Sequence, residues 1–169
     1  MKIVVGTDLS DESKVATRWG IEYARNLRER DVGVDVLVAH VTGAWYPQIG
    51  TQSFLDEPDN RAKLEDKVHK WIAEQHGEDR DYELVLREGR ANDELRELAD
   101  EVDADWVVVG RSGHGAIARL VVGSTTQKLA HDPPANMGII HPERSDWNGD
   151  LQLAVGADFS DSSERAVGL

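Results

Sequence analysis

The chain has 169 residues, about 40% of them apolar, which is enough for one domain of ordinary size with a real core. Its formal net charge of −13 argues against a nucleic-acid partner and an anionic membrane surface, both of which need a basic face. With no cysteine it can form neither a disulfide framework nor a cysteine-based metal site.

No apolar run approaches the ~20 residues of a membrane span. The opening Met1–Gly6 reads as a strand rather than a signal peptide, so a cytoplasmic location is expected. The acid is dispersed, and the cations are 13 Arg against 6 Lys. Two readings fit that surface: adaptation to high salt, where screening removes self-repulsion, or an ordinary acidic cytoplasmic protein.

In chain order, Lys2–Thr7 predicts a strand, because Ile3, Val4 and Val5 form a continuous apolar run of the kind buried on both faces. Ser10 or Asp11 caps the helix that follows, which carries Val15, Trp19, Tyr23 and Leu27 at helical spacing. Val34–Val41 predicts the second strand. Gly43–Glu57 predicts a long loop with Trp45, Tyr46 and Phe54 in it. Pro58 suits an early helical position, ahead of Leu64, Val68, Trp71 and Ile72. A third strand is expected at Tyr82–Leu86 and a third helix at Glu94–Val102, with Leu95, Leu98 and Ala99 inward. Trp106–Val109, Ser124–His131 and Gly138–Ile140 complete the alternation as strand, helix and short strand.

This order predicts an α/β fold: a doubly wound, five-stranded parallel sheet with helices on both faces. Ligands in such sheets sit beyond the carboxyl ends of the strands at a topological switch point. That places Asp8, His40, Val41 and Gly110 near one crevice. The six histidines show no metal-ligand spacing. Asp103 and Asp105 read as part of a solvated turn.

Residues 2–16 recur at 152–166, offset by 150 without gaps, with seven of fifteen pairs identical, among them Gly6/Gly156, Asp8/Asp158, Ser10/Ser160 and Asp11/Asp161. The expected organisation is a domain over 1–142, a linker over 143–150, and the truncated start of a second repeat over 151–169. That stub is expected to be disordered or to add to a sheet edge.

The chemistry concentrates in GRSGHGAIARLVVGST, from Gly110 to Thr125. No lysine follows a glycine there, so it is not the triphosphatase P-loop. Gly113–Ala118 matches the dinucleotide fingerprint literally, but after the fourth strand instead of the first. What remains is Gly110-x2-Gly113-x9-Gly123-Ser124. The first two glycines would let backbone approach a ligand. Ser124 through Gln127 reads as a capping box at a helix start, whose free amides and hydroxyls suit phosphate. His114, within this run, could meet a phosphate.

With that spacing the chain resembles the universal stress protein family, in its nucleotide-binding branch, from Met1 to about His141. Gly6-Thr7-Asp8, His40-Val41 and Glu88-Gly89-Arg90-Ala91 also match. The resemblance implies an adenine nucleotide alpha hydrolase-like fold with strand order 3-2-1-4-5. It implies ATP, or AMP or ADP, as ligand, with Mg²⁺ or Mn²⁺ carried on the phosphates. Asp8 would contact adenosine with Thr7 beside it, and Val41 would offer backbone groups to adenine. Gly110 and Arg111 would lie along the ribose and first phosphate. Gly113, Gly123, Ser124, Thr125 and Thr126 would hold the phosphates.

Two departures stand out. Arg111 occupies a position where the family often has a small residue, and its guanidinium would clamp a phosphate or reach solvent. The last strand is short and follows Pro133-Pro134, which weakens the edge expected to make a homodimer; the second repeat would serve as partner in a pseudo-dimer. The expected role is a stress-response or regulatory nucleotide binder with little fast catalysis. The competing readings are a slow ATP hydrolase or phosphoryl- or nucleotidyl-transfer enzyme, and a partner-binding domain with an empty pocket.

Overall fold

The computed structural model describes residues 1–43, 53–77, 79–112 and 122–141. Five strands form one sheet: β1 (Lys2–Thr7), β2 (Asp35–Gly43), β3 (Glu83–Gly89), β4 (Trp106–Gly110) and β5 (Asn136–Ile140). Their order is β3-β2-β1-β4-β5 and every pairing is parallel. The helices between them are α1 (Asp11–Arg28), α2 (Pro58–His76), α3 (Ala91–Val102) and α4 (Ser124–His131), with a 3-10 turn at Phe54–Asp56. The expected architecture and strand order are therefore found.

The continuous apolar strands have a direct physical reading. Alternate residues of a strand point to opposite faces. Ile3 and Val5 join Val36 and Val38 under Ile21 and Ala24 of α1 and Val68 and Ile72 of α2. Val4 joins Leu37, Val107 and Val109 under Leu95 and Leu98 of α3 and Leu129 of α4. Each strand feeds two cores, so neither face tolerates a polar alternation.

Helix α1 forms as expected, with Trp19, Tyr23 and Leu27 packed against the edge of the core. Val15, Trp19, Tyr23 and Leu27 are only half-buried, while the buried face is Ser13, Ala16, Thr17, Gly20, Ile21 and Ala24. Trp19 and Tyr23 stack along the flank with ring centroids 4.9 Å apart. The buried face is small because α1 lies close on the sheet: a Cβ on Gly20 would stand 2.6 Å from Val5 Cγ2. Ser10 is the N-cap, its side chain accepting from the Ser13 amide.

Other boundaries shift by a few residues. β3 continues to Gly89, carrying Arg87, which pairs with Glu94 and Glu101 of α3. α3 starts at Ala91, three residues earlier than expected. β5 starts at Asn136, whose backbone and side-chain N–H groups both donate to the Asp105 carbonyl. Asp103 and Asp105 are both exposed in the turn that follows α3, as expected, and the Asp105 carboxylate also accepts from the Lys2 amide at 2.7 Å, tying the starts of β4 and β1 together. Among the described residues no helix is long and apolar enough to cross a membrane. The expected linker and second repeat, together with Trp45 and Tyr46, lie outside the described residues.

Gly20→Val should cost about 2 kcal/mol of folding stability, since the added methyls overlap the fully buried Val5 and a packed core resists overfilling. Urea denaturation of the variant against the parent measures it; equal midpoints would mean that α1 and β1 are not packed this closely.

Candidate functional site

The strand order reverses between β1 and β4, and a cavity of about 350 Å³ opens at their carboxyl ends. That volume lies within the ~300–1,000 Å³ typical of small-molecule sites. One wall comes from β1 and the turn after it (Gly6, Thr7, Asp8) and from Ser13 of α1. Ala39 and Val41 of β2, with Ala91 and Leu95 of α3, form an apolar side. Val109, Gly110 and Ser112 meet the start of α4 (Gly123, Ser124, Thr125, Thr126) on the other.

The turn after β1 is held by hydroxyls. Leu9 sits at φ 63°, in the left-handed region that non-glycine residues seldom occupy. Its N–H donates to Thr7 Oγ1 at 3.1 Å, and the Ser10 N–H donates to Asp8 Oδ1 at 3.0 Å. Ser13 Oγ donates to the Ser10 carbonyl at 3.0 Å, so the 3.0 Å contact between Thr7 and Ser13 must use the Thr7 proton. From β2, His40 Nδ1 lies 2.9 Å from the Thr7 carbonyl. A carbonyl only accepts, which places the ring proton on Nδ1. Burial pushes the His40 pKa below its ordinary 6.5 and Lys67 lowers it further, against the Thr7 bond and Asp8, which both raise it.

The opposite wall is stitched to α4. Arg111 N–H donates to the Ile140 carbonyl at 3.0 Å, and the Gly123 N–H donates to the Arg111 carbonyl at 2.8 Å. Thr126 Oγ1 donates to the Gly110 carbonyl at 2.8 Å. The helix begins differently from the expectation. Gly123 is the N-cap, no side chain caps the helix, and Ser124 is already its first helical residue. The capping box is absent because a capping residue must be extended, and the extended residue here is Gly123 at φ −61°, ψ 149°. The first amides of α4 are thereby left without a side-chain cap, and its dipole favours an anion there.

Of the residues named from the sequence, Thr7, Asp8, Val41, Gly110, Gly123, Ser124, Thr125 and Thr126 meet on this cavity. Arg111 is not among its lining residues; its backbone serves the two bonds above. Gly113 and His114 lie outside the described residues. His40 braces the cavity from behind instead of lining it. Gly110 needs its lack of side chain for a reason internal to the fold, since a Cβ there would lie 3.0 Å from the Glu12 carbonyl oxygen. Ser13, Ala39, Val109 and Ser112 also line the cavity without having been singled out, as do Gly6 and Ala91, named only within matching motifs, and Leu95, named only as an inward residue. Ser13 did leave a signal, because it recurs as Ser163 in the repeat. Ser112 left none.

Compared with known proteins, the universal stress protein family model matches residues 1–141. A universal stress protein of Mycolicibacterium smegmatis is 31% identical over 98% of this chain; the chain spans 56% of that relative's length. A universal stress protein whose crystal structure is a complex with cAMP is 28% identical, with a TM-score of 0.52 over 84% of this chain and 97% of that one. A universal stress protein from Lactobacillus plantarum, 18% identical, shares the fold with a TM-score of 0.56 over 83% of this chain and 97% of that one.

Two outcomes follow from the geometry. Thr126→Val keeps the shape but removes the proton given to the Gly110 carbonyl, and should cost about 1–2 kcal/mol in urea denaturation. His40 favours its neutral form in the folded state, so the unfolded chain binds more protons below pH ~6.5. This stabilisation is complete above that pH and is lost as pH falls through the folded-state value. His69 and His76 are also lowered by burial and add to the slope. His40→Asn should flatten part of the stability loss between pH 7 and pH 5.5; an unchanged slope would remove His40 from this role.

Proposed function

Because the chain belongs to the universal stress protein family, we propose that its cleft binds an adenine nucleotide, with ATP as the principal ligand and AMP and ADP as alternatives. The observation that carries the reading is the two-sided cleft at the sheet's switch point. Its apolar side, Ala39, Val41 and Leu95, suits a base, while its other side is the uncapped start of α4 with Ser124 and Thr125. The relative crystallised with cAMP supports the ligand class.

In this reading Asp8 faces the sugar, since its carboxylate lies at the cleft rim while also holding the Ser10 amide. Ser124, Thr125 and the α4 amides hold the phosphates. Thr126 contributes differently from the sequence-based expectation: its hydroxyl proton is given to the Gly110 carbonyl, leaving only its amide and lone pairs. Gly113 and Arg111 remain assigned to the phosphate side on the family pattern alone.

The lining donors are hydroxyls and amides with a single carboxylate, a set that fits a divalent ion carried mainly by phosphate oxygens. Mg²⁺ or Mn²⁺ bound in that way would neutralise phosphate charge. Among the described residues no cluster of three or more acidic or imidazole groups is arranged to hold a metal by itself. We assign the domain a stress-response or regulatory role, with slow turnover at most. The repeat at 151–169 supports a tandem protein, and the edge strand β5, with Ile139 exposed, is the surface offered to a second copy or a second chain.

Titration calorimetry with ATP and Mg²⁺, at low and at molar KCl, tests this. Saturable binding is expected, displaced by ADP and AMP. Ser124→Ala should weaken it about fivefold. Asp8→Asn, which keeps an oxygen for the Ser10 amide, should weaken it without lowering the melting temperature. No saturable binding of any of the three nucleotides at millimolar concentration would refute the assignment.

A further inference from the structure

The cleft carries six hydroxyl side chains, on Thr7, Ser13, Ser112, Ser124, Thr125 and Thr126. Four of them are buried, on Thr7, Ser13, Ser112 and Thr126. Three of those four have their protons placed within the protein: Thr7 on Ser13, Ser13 on the Ser10 carbonyl, Thr126 on the Gly110 carbonyl. Ser112 is the exception. It is 5% exposed, and its Oγ has no hydrogen-bond partner among the described residues. A buried hydroxyl without a partner is costly to the fold and rare in native proteins. Such a group points to a ligand that completes it.

Its surroundings say which part of a ligand that is. The Gly123 N–H bond to the Arg111 carbonyl and the Thr126 bond to the Gly110 carbonyl fasten residues 110–112 to the first turn of α4. Ser112 therefore stands on the wall shared with the uncapped helix start. We propose that the Ser112 hydroxyl is a ligand-binding group that donates to an oxygen at the phosphate end of the nucleotide, and so sets affinity for that end. This rests on the nucleotide reading above and adds to it a contact made by the side chain of a position that the glycine spacing leaves open.

A structural serine and a ligand-binding serine respond in opposite ways to loss of the hydroxyl. Removing an unpartnered buried hydroxyl relieves the free protein, whereas removing a partnered one harms it. The experiment uses the full chain, parent and Ser112→Ala, with two readouts: the melting temperature without nucleotide, and ATP–Mg²⁺ affinity by calorimetry. The expected result is an unchanged or raised melting temperature together with about tenfold weaker ATP binding. Equal affinity in the two proteins would overturn the proposal, and so would a lowered melting temperature, which would place the hydroxyl in the protein's own bonding. Ser124→Ala run in parallel separates the two levels. If it weakens ATP and Ser112→Ala does not, the phosphate site stands and the Ser112 assignment falls. If the parent binds no ATP, the nucleotide reading itself has failed.

Discussion

The close seating of α1 on the seam between β1 and β4 is the constraint on which the rest of the structure depends. Gly20 brings the middle of the helix against Val5, and Gly110 brings the end of β4 against the backbone at Glu12. The helix start is thereby fixed beside two strand ends that belong to different halves of the sheet. From the end of β1 the chain passes through α1 and α2 over one core and outward through β2 to β3, whereas from the end of β4 it passes through α4 over the other core and outward to β5. The chain thus leaves the seam in opposite directions on opposite faces, which is where a crevice opens at the carboxyl ends of such a sheet. The cleft is a consequence of that divergence, and the two glycines keep its two sides in register.

Polar groups around the cleft divide into those that build it and those that remain for a ligand. Thr7, Ser13 and Thr126 act within the protein, the first two holding a turn whose Leu9 is in a costly conformation. His40 adds a donor to the Thr7 carbonyl from the neighbouring strand, in the register that pairs Thr7 with His40. The remaining groups are the first amides of α4 and the hydroxyls of Ser112, Ser124 and Thr125, while the Asp8 carboxylate lines the cleft and also holds the Ser10 amide. Ser112 is as buried as Thr7, Ser13 and Thr126, so bonding, more than burial or residue type, separates the two classes.

Much of the fold was legible because continuous apolar strands have one physical meaning in an alternating chain. Helices α2 and α3 were legible because Val68 and Ile72, or Leu95 and Leu98, are large and face inward at helical spacing. Helix α1 was legible too, but its buried face was not, because a helix that must approach the sheet closely buries its small residues and leaves Trp19 and Tyr23 on the flank. The capping pattern at Ser124 misled for a related reason: a side chain's capping ability shows in sequence, whereas which residue takes the extended conformation does not. Of the site, the positions marked by glycine spacing or strand ends were legible. Ser112 was not, because its importance lies in lacking a partner, a property that exists only once the surroundings are folded.

The net charge of −13 bears on how an anion would be held here. Among the described residues that line the cleft, none carries a positive charge, and Asp8 is negative. Long-range electrostatics therefore oppose an anionic ligand, and its attraction would come from amides, hydroxyls and the helix dipole, which act over a few ångströms. The two ranges respond differently to salt. Screening shortens from about 10 Å at 0.1 M to about 3 Å at 1 M, which removes the distant repulsion and leaves contact hydrogen bonds largely intact. A basic phosphate site loses affinity under the same change. An acidic surface, with no cation among the described residues that line the cleft, is thus consistent with phosphate recognition, provided that recognition works by contact and that the phosphate charge is offset by a cation arriving with the ligand.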